Sequence, residues 1–197
     1  MLFKDPIDLN LEDGDITYYP EFFGKTKADT YLNDLLKTIA WQQDSITLFG
    51  KTHLQPRLTA LYANNSNPYT YSNITMHPTA FTESLILIKT HIEHVLKIEF
   101  TSCLVNLYRD GNDSNGWHSD NEKELGKHPI IASISFGAER VFHLKHKTKK
   151  ELKYKIKLEH GSLILMKGAT QDHWLHQIPK TKKTIGERIN LTFRNIV

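Results

Sequence analysis

What most constrains the fold is the second half of the chain, where seven short runs that suit strands follow one another with no helical periodicity between them. They cover residues 104–108, 130–136, 140–146, 154–158, 162–166, 173–178 and 189–193, and most of the gaps carry turn-forming glycine, aspartate or asparagine. Short strands joined without crossover helices pair antiparallel and stack as a sandwich or jelly roll. The first half supplies helices. Leu32, Leu35, Leu36, Ile39 and Ala40 share one helical face, with Asp29 or Thr30 as the expected cap. Phe81, Leu85, Ile88, Ile92, Val95 and Leu96 do the same over 79–100, behind Pro78. Further strands are expected at 45–49, 58–62 and 69–71, with an Asn-Asn-Ser-Asn-Pro turn at 64–68. The expected fold is mainly β with flanking α, two N-terminal helices bracing one sheet from outside, in a single domain over 1–197.

Composition agrees with a compact core and excludes several classes. The 197 residues are 39% hydrophobic and 24% charged, as in ordinary globular proteins. The net charge of +3 is too mild to indicate nucleic acid by itself. The single cysteine, Cys103, excludes an internal disulfide and reads as a core residue of a strand. The opening Met-Leu-Phe-Lys-Asp-Pro lacks the apolar stretch of a signal peptide, and no run reaches the ~20 apolar residues needed to cross a bilayer. A soluble intracellular monomer without membrane contact is expected, cytoplasmic in a bacterium and nuclear or cytoplasmic in a eukaryote. The densest basic tract, 145–157, is either a hairpin whose lysines guard a sheet edge or a polyanion contact. Lys153, Lys155 and Lys157 share a strand face in both cases.

The sharpest local signal is Gly-Trp-His-Ser-Asp at 116–120. On an extended chain His118 and Asp120 point to one side, so an imidazole and a carboxylate can bind one metal. A third ligand is offered by His-Trp-Leu-His at 173–176, and the spacing leaves His173 and His176 both open. Two His and one carboxylate on one face of an octahedron leave three positions free, the arrangement that suits non-haem Fe(II) and O2. His128, His143, His146 and His160 read as surface or satisfied core residues, and Trp117 and Trp174 as packing beside the ligands. A second signal is Glu-Arg-Ile-Asn-Leu-Thr-Phe-Arg at 187–194. Strand alternation puts Arg188, Asn190, Thr192 and Arg194 on one face and Ile189, Leu191 and Phe193 on the other. Two arginines on a buried face need anions, and a dicarboxylic acid supplies two carboxylates for guanidinium forks. On an exposed edge strand the same pattern would carry no ligand.

Taken together, these segments resemble the AlkB family of 2-oxoglutarate-dependent dealkylases, over the chain from about Leu48 to the C-terminus. The motifs stand in family order: Asn-Leu-Tyr-Arg-Asp-Gly from 106, Trp-His-Ser-Asp-Asn-Glu from 117, Pro-Ile-Ile-Ala-Ser-Ile-Ser-Phe-Gly-Ala from 129, His-Gly-Ser-Leu-Ile-Leu-Met from 160, His-Trp-Leu-His-Gln-Ile-Pro from 173, and Arg-Ile-Asn-Leu-Thr-Phe-Arg from 188. The likeness is to the DNA/RNA repair branch, whose N-terminal elements correspond to Phe49-Gly50-Lys51, Pro56-Arg57 and Tyr69-Thr70-Tyr71-Ser72. The resemblance implies a double-stranded β-helix, a jelly roll, with a nucleotide-recognition part at about 45–75 packed on a core at about 101–197. It implies that His118, Asp120 and His176 ligate Fe(II), that Arg188 binds the distal carboxylate of 2-oxoglutarate, and that Asn106, Tyr108, Asn190, Thr192 and Arg194 gather around this cosubstrate. Phe49, Gly50, Lys51, Arg57, Tyr69 and Tyr71 would meet the base, with Asn121 and Glu122 at its polar edge. The reaction implied is oxidative demethylation of N-alkylated bases with O2, releasing aldehyde, succinate and CO2. Alkylated nucleic acid is the partner, single-stranded DNA favoured and RNA a further substrate. Asn121 departs from the acid common after the iron aspartate in related repair enzymes, and an amide there can donate as well as accept. Two rival readings are a 2-oxoglutarate-dependent hydroxylase or demethylase of a protein or small molecule, and a non-catalytic metal-binding nucleic-acid module.

Overall fold

A computed structural model describes residues 4–48, 51–66, 68–71 and 74–196. The strands are β1 (Ile7–Asp8), β2 (Asp15–Tyr19), β3 (Ser45–Leu48), β4 (Lys51–Leu54), β5 (Leu58–Ala63), β6 (Tyr69–Tyr71), β7 (Ile74–Met76), β8 (Ser102–Tyr108), β9 (Asn115–His118), β10 (Ile131–Gly137), β11 (Arg140–His146), β12 (Lys153–Leu158), β13 (Leu163–Lys167), β14 (Trp174–Ile178) and β15 (Arg188–Arg194). The helices are α1 (Lys25–Thr38), α2 (Glu83–Leu96) and the single turn α3 (Thr170–His173), with a 3-10 turn at Lys123–Leu125. A seven-stranded antiparallel sheet in the order β1-β2-β13-β10-β15-β8-β5 faces a four-stranded sheet in the order β12-β11-β14-β9. Two small hairpins, β3-β4 and β6-β7, stand apart from both sheets. The arrangement is the expected jelly roll.

Two apolar cores explain the layering. The inner one lies between the sheets, where Leu104 and Ile131 of the large sheet meet Phe142, Leu144 and Ile178 of the small one. The outer one lies between the large sheet and the helices, joining Leu35, Ile88 and Ile92 to Val105, Ile134, Leu191 and Phe193. The two N-terminal helices therefore brace the large sheet from outside. Cys103 is buried in this outer core, and burial pushes its thiol pKa up. No helix among the described residues is long and apolar enough to cross a membrane.

Several boundaries differ from the sequence-based expectation. Helix α1 begins at Lys25 behind Gly24, so Asp29 is no cap. Instead it pairs with Lys25 at 2.6 Å, four residues earlier, and faces His160 at 3.1 Å. Helix α2 starts at Glu83 because Thr82 caps it, its hydroxyl accepting from the Leu85 amide at 3.4 Å. Strands β1 and β2 escaped the reading, since Asp15-Ile-Thr-Tyr-Tyr19 is short, yet β2 pairs with β13 and extends the large sheet. Gly137 ends β10 at φ +85, and a Cβ there would lie 2.3 Å from the Glu187 carbonyl oxygen. Only glycine permits that approach, which sets the start of β15 beside it. Trp117 is 39% exposed rather than packed, with the Lys145 ammonium 4.3 Å from its ring centre.

Strand β15 lies between β10 and β8, covered by helices on one face and by the small sheet on the other. Phe193→Ala should therefore lower unfolding stability by about 3–5 kcal/mol, measured by urea denaturation. A loss below about 1 kcal/mol would contradict the packing of that strand against α2 and its neighbours.

Candidate active site

The first cluster is assembled by strand pairing. His118 of β9 and His176 of β14 are directly opposed residues, and their rings meet edge-on with centroids 4.2 Å apart. Asp120 follows two residues beyond His118, its Oδ1 3.9 Å from His118 Nε2. One ligand atom from each of the three lies within 4.8 Å of the others. His118 Nδ1 sits 2.7 Å from the Gly116 carbonyl oxygen. That contact places the proton on Nδ1 and the lone pair on Nε2, which accepts from the Asn115 side-chain amide at 3.2 Å and would turn to a metal once one is bound. Burial lowers the pKa of His118 and pushes that of His176 down to about 3, so both imidazoles are neutral. Burial raises the Asp120 carboxyl, but opposing charge, led by the Arg194 guanidinium, outweighs it and the net shift is downward. A carboxylate and two neutral imidazoles form the donor set of a divalent transition metal.

The structure separates His176 from His173, which the spacing had left open. His173 turns away and stacks on His146 at 5.7 Å, near Asp13, in a second cluster of comparable span. That cluster has the wrong tautomer for a metal. His146 Nδ1 accepts from the backbone amides of Lys149 at 3.0 Å and Thr148 at 3.3 Å. Its proton is thus on Nε2, which faces the Asp13 carboxylate at 3.3 Å and has no lone pair to give.

The alternation on β15 carries the rest of the site. Arg188, Asn190, Thr192 and Arg194 all line the cavity that contains the His-Asp-His cluster, together with Asn106, Tyr108 and Arg57. Arg188 is 1% exposed, and burial pushes its pKa down to about 10. Its Nη2 donates to the Ser135 hydroxyl at 2.9 Å, and its guanidinium lies 5.0 Å from the Tyr108 ring centre. Nε and Nη1 are buried with no acceptor among the described residues. A buried cation with two unmet donors is costly unless an anion enters, and a carboxylate matches that fork. Arg194 Nη2 lies 2.9 Å from Asp120 Oδ1, which joins the arginine face to the histidine cluster. Asn190 lines this cavity and is also held within the sheet. Its Nδ2 donates to Ser133 Oγ at 2.7 Å and to the Ile134 carbonyl at 3.0 Å, and its Oδ1 accepts from Thr192 at 3.1 Å. The two Nδ2 bonds tie β15 to β10, and the Thr192 bond stays within β15.

Arg57 stands in the same cavity, where its Nε donates to Asn106 Oδ1 at 2.8 Å, which turns the amide nitrogen of Asn106 away from Arg57. Asn121 is exposed and Glu122 half-buried in the loop after Asp120. Phe49 and Gly50 lie outside the described residues. For Lys51, Tyr69 and Tyr71 the backbone is described, as members of the small hairpins, and the side chains are not. The sequence reading missed Gln171, which accepts the Asp120 amide at 2.9 Å. It also missed Arg140, 3% exposed, which donates to the carbonyls of Asp110, Asp113 and Pro179. Arg140 ties the β8–β9 turn to the end of β14. No local pattern marks either residue.

Comparison with known proteins agrees with this geometry. The family model of the 2OG-Fe(II) oxygenase superfamily matches residues 15–194. Alpha-ketoglutarate-dependent dioxygenase alkB homolog 3 is 42% identical in Bos taurus, over 90% of this chain and 64% of that protein, and 42% identical in Homo sapiens, over 92% and 66%. The chain thus spans less than two thirds of the length of those relatives. The DNA oxidative demethylase ALKBH2 of Homo sapiens is 36% identical over 91% of this chain and 72% of that protein. Among solved structures, that of OsALKBH1 superposes with a TM-score of 0.68 at 16% identity, covering 97% of this chain and all of that one, which shows the shared fold. With the family's model matched from β2 to the last strand and relatives this similar over nine tenths of its length, the chain belongs to the AlkB family of 2OG-Fe(II) oxygenases.

Proposed function

We propose that this chain oxidatively demethylates N-alkylated bases of the 1-methyladenine and 3-methylcytosine type in DNA, single strands favoured, and also in RNA. It would act as a soluble monomer with Fe(II), O2 and 2-oxoglutarate. The observation that carries the reading is one cavity holding both a two-His, one-Asp donor set and the unmet donors of buried Arg188. A keto acid with a second carboxylate answers both at once. The name of the ALKBH2 relative, a DNA oxidative demethylase, supports the choice of substrate.

In this reading His118, Asp120 and His176 hold the iron, which supplies O2 activation when bound. Arg188 forks the distal carboxylate, and Tyr108 and Ser135 keep the guanidinium in line. Asn106 and Arg194 reach the cosubstrate from either side, with Arg57 setting the Asn106 amide. Apolar Leu158, Phe142 and Ile178 line the same cavity and keep bulk water from the reacting carbon. A base cannot reach a cavity between two sheets while stacked in a duplex, so it must be flipped out or already single-stranded. The part at about 45–75 serves nucleotide recognition. Tyr69 and Tyr71 would supply aromatic faces for a cationic lesion, Phe49, Gly50 and Lys51 would take part in substrate binding, and Asn121 and Glu122 would serve the polar edge of the base.

The test is release of formaldehyde and succinate from methylated single-stranded DNA, duplex DNA and RNA in competition. Succinate without formaldehyde from any oligonucleotide would instead favour a protein or small-molecule substrate. Asp120→Ala should abolish turnover, and full activity in that variant would remove the residue from the iron shell. Arg188→Ala should weaken 2-oxoglutarate binding by about 2–5 kcal/mol, a roughly thirty-fold or greater rise in Kd. Titration of the metal-loaded protein with 2-oxoglutarate reads it, and an unchanged Kd would exclude Arg188 as the carboxylate fork. Lys153→Ala should leave turnover of saturating substrate intact and lower the salt slope of single-strand binding by about 0.7.

A further inference from the structure

Two of the three proposed ligands are placed by the β-ladder, since His118 and His176 are opposed residues of paired strands. Asp120 is not. Strand β9 ends at His118, and Asp120 lies in the loop before the 3-10 turn at Lys123–Leu125. Something other than sheet pairing must fix its backbone, because a ligand on an unanchored loop loses affinity to the entropy of ordering it.

The Asp120 amide donates to the side-chain Oε1 of Gln171 at 2.9 Å, a contact buried from solvent. Gln171 is 1% exposed and sits in α3, the turn directly ahead of the strand that carries His176. Its own orientation is fixed. Nε2 faces the Met166 sulfur at 3.5 Å, and the Gln171 backbone carbonyl accepts from Lys147 Nζ at 2.7 Å. The turn is pinned in its place, because the Thr170 hydroxyl accepts from the Asp15 amide at 2.9 Å and donates to the Lys167 carbonyl at 2.6 Å. One buried amide therefore ties the loop of the aspartate to the segment that leads into the second histidine.

We propose that Gln171 is a positioning residue for the metal centre, its side-chain carbonyl holding the Asp120 backbone so that the carboxylate meets His118 and His176. The inference rests on the iron reading above and adds a residue that no ligand motif contains. Gln171 touches neither metal nor substrate in this account and acts through Asp120 alone. What matters is the acceptor oxygen, not the bulk of the side chain. A methionine of similar length would fill the space and leave the Asp120 N–H without its partner.

The experiment measures cobalt(II) affinity of the metal-free protein by competition with a chromophoric chelator, for wild type, Gln171→Met, Asp120→Ala and the double variant. Gln171→Met should weaken cobalt binding by about 10–100-fold, as loss of a residue that orients a ligand does. Its metal-free Tm should stay close to that of wild type, and 2-oxoglutarate affinity at saturating cobalt should not move. In the Asp120→Ala background the second substitution should cost nothing further, because residues acting as one unit are not additive. Independent, multiplying losses would overturn the proposal, as would a Gln171→Met protein with wild-type cobalt affinity. If Gln171→Met does not fold, Gln171→Glu retains an acceptor at the same reach and should bind cobalt far better than Asp120→Ala; equal losses would overturn the proposal. Wild-type protein that takes up no cobalt would sink the iron reading itself, a result distinct from all of these.

Discussion

A guanidinium sealed inside the sandwich, with two donors unmet, is the condition around which this molecule is arranged. Arg188 is tolerable there because β15 is an interior strand, with Tyr108 beneath its charge and Ser135 taking one of its hydrogens. The helices matter to this arrangement. By covering the outer face of the large sheet they bury Ile189, Leu191 and Phe193, and strand alternation then commits the four polar residues of β15 to the inner face. The same alternation brings Arg194 to Asp120, so the cation-rich strand and the ligand cluster of the opposite sheet become two walls of one cavity.

The opposite wall depends on where β9 lands. Its route from β8 passes through the turn held by Arg109, which donates to Asp113 at 2.8 and 2.9 Å. Arg140 grips the carbonyls of that turn and of Pro179, just beyond β14. Buried arginine is costly, but one that serves three carbonyls welds irregular backbone where strand pairing cannot reach. With the turn fixed, β9 joins β14 and the two imidazoles face each other.

Two imidazole clusters of similar span show that proximity is not enough for a metal. The Gly116 carbonyl takes the Nδ1 proton of His118, so Nε2 keeps a lone pair, directed at the Asn115 side-chain amide, whereas the Thr148 and Lys149 amides demand the Nδ1 lone pair of His146 and put its proton on Nε2. One backbone partner, a carbonyl or an amide, decides whether the second nitrogen can ligate.

Periodic features were legible in the chain before any contact was known: short strands without crossovers, two amphipathic helices, and the polar and apolar faces of Arg188–Arg194. The chain also offered His118 and Asp120 as candidate ligands, although strand β9 ends at His118 and Asp120 reaches the cluster from the following loop. Periodicity is a local property, so it survives without knowledge of what lies across the core. The choice of His176 over His173 came from family likeness, and its physical reason appears only when β14 pairs with β9. Long-range packing was needed to show that β15 is interior rather than an edge, that Asn190 bonds across to β10 while lining the cavity, and that Gln171 and Arg140 stand behind the site. Those facts depend on contacts between residues tens of positions apart, and a hydrogen bond such as Gln171 to Asp120 leaves no periodic trace in the chain.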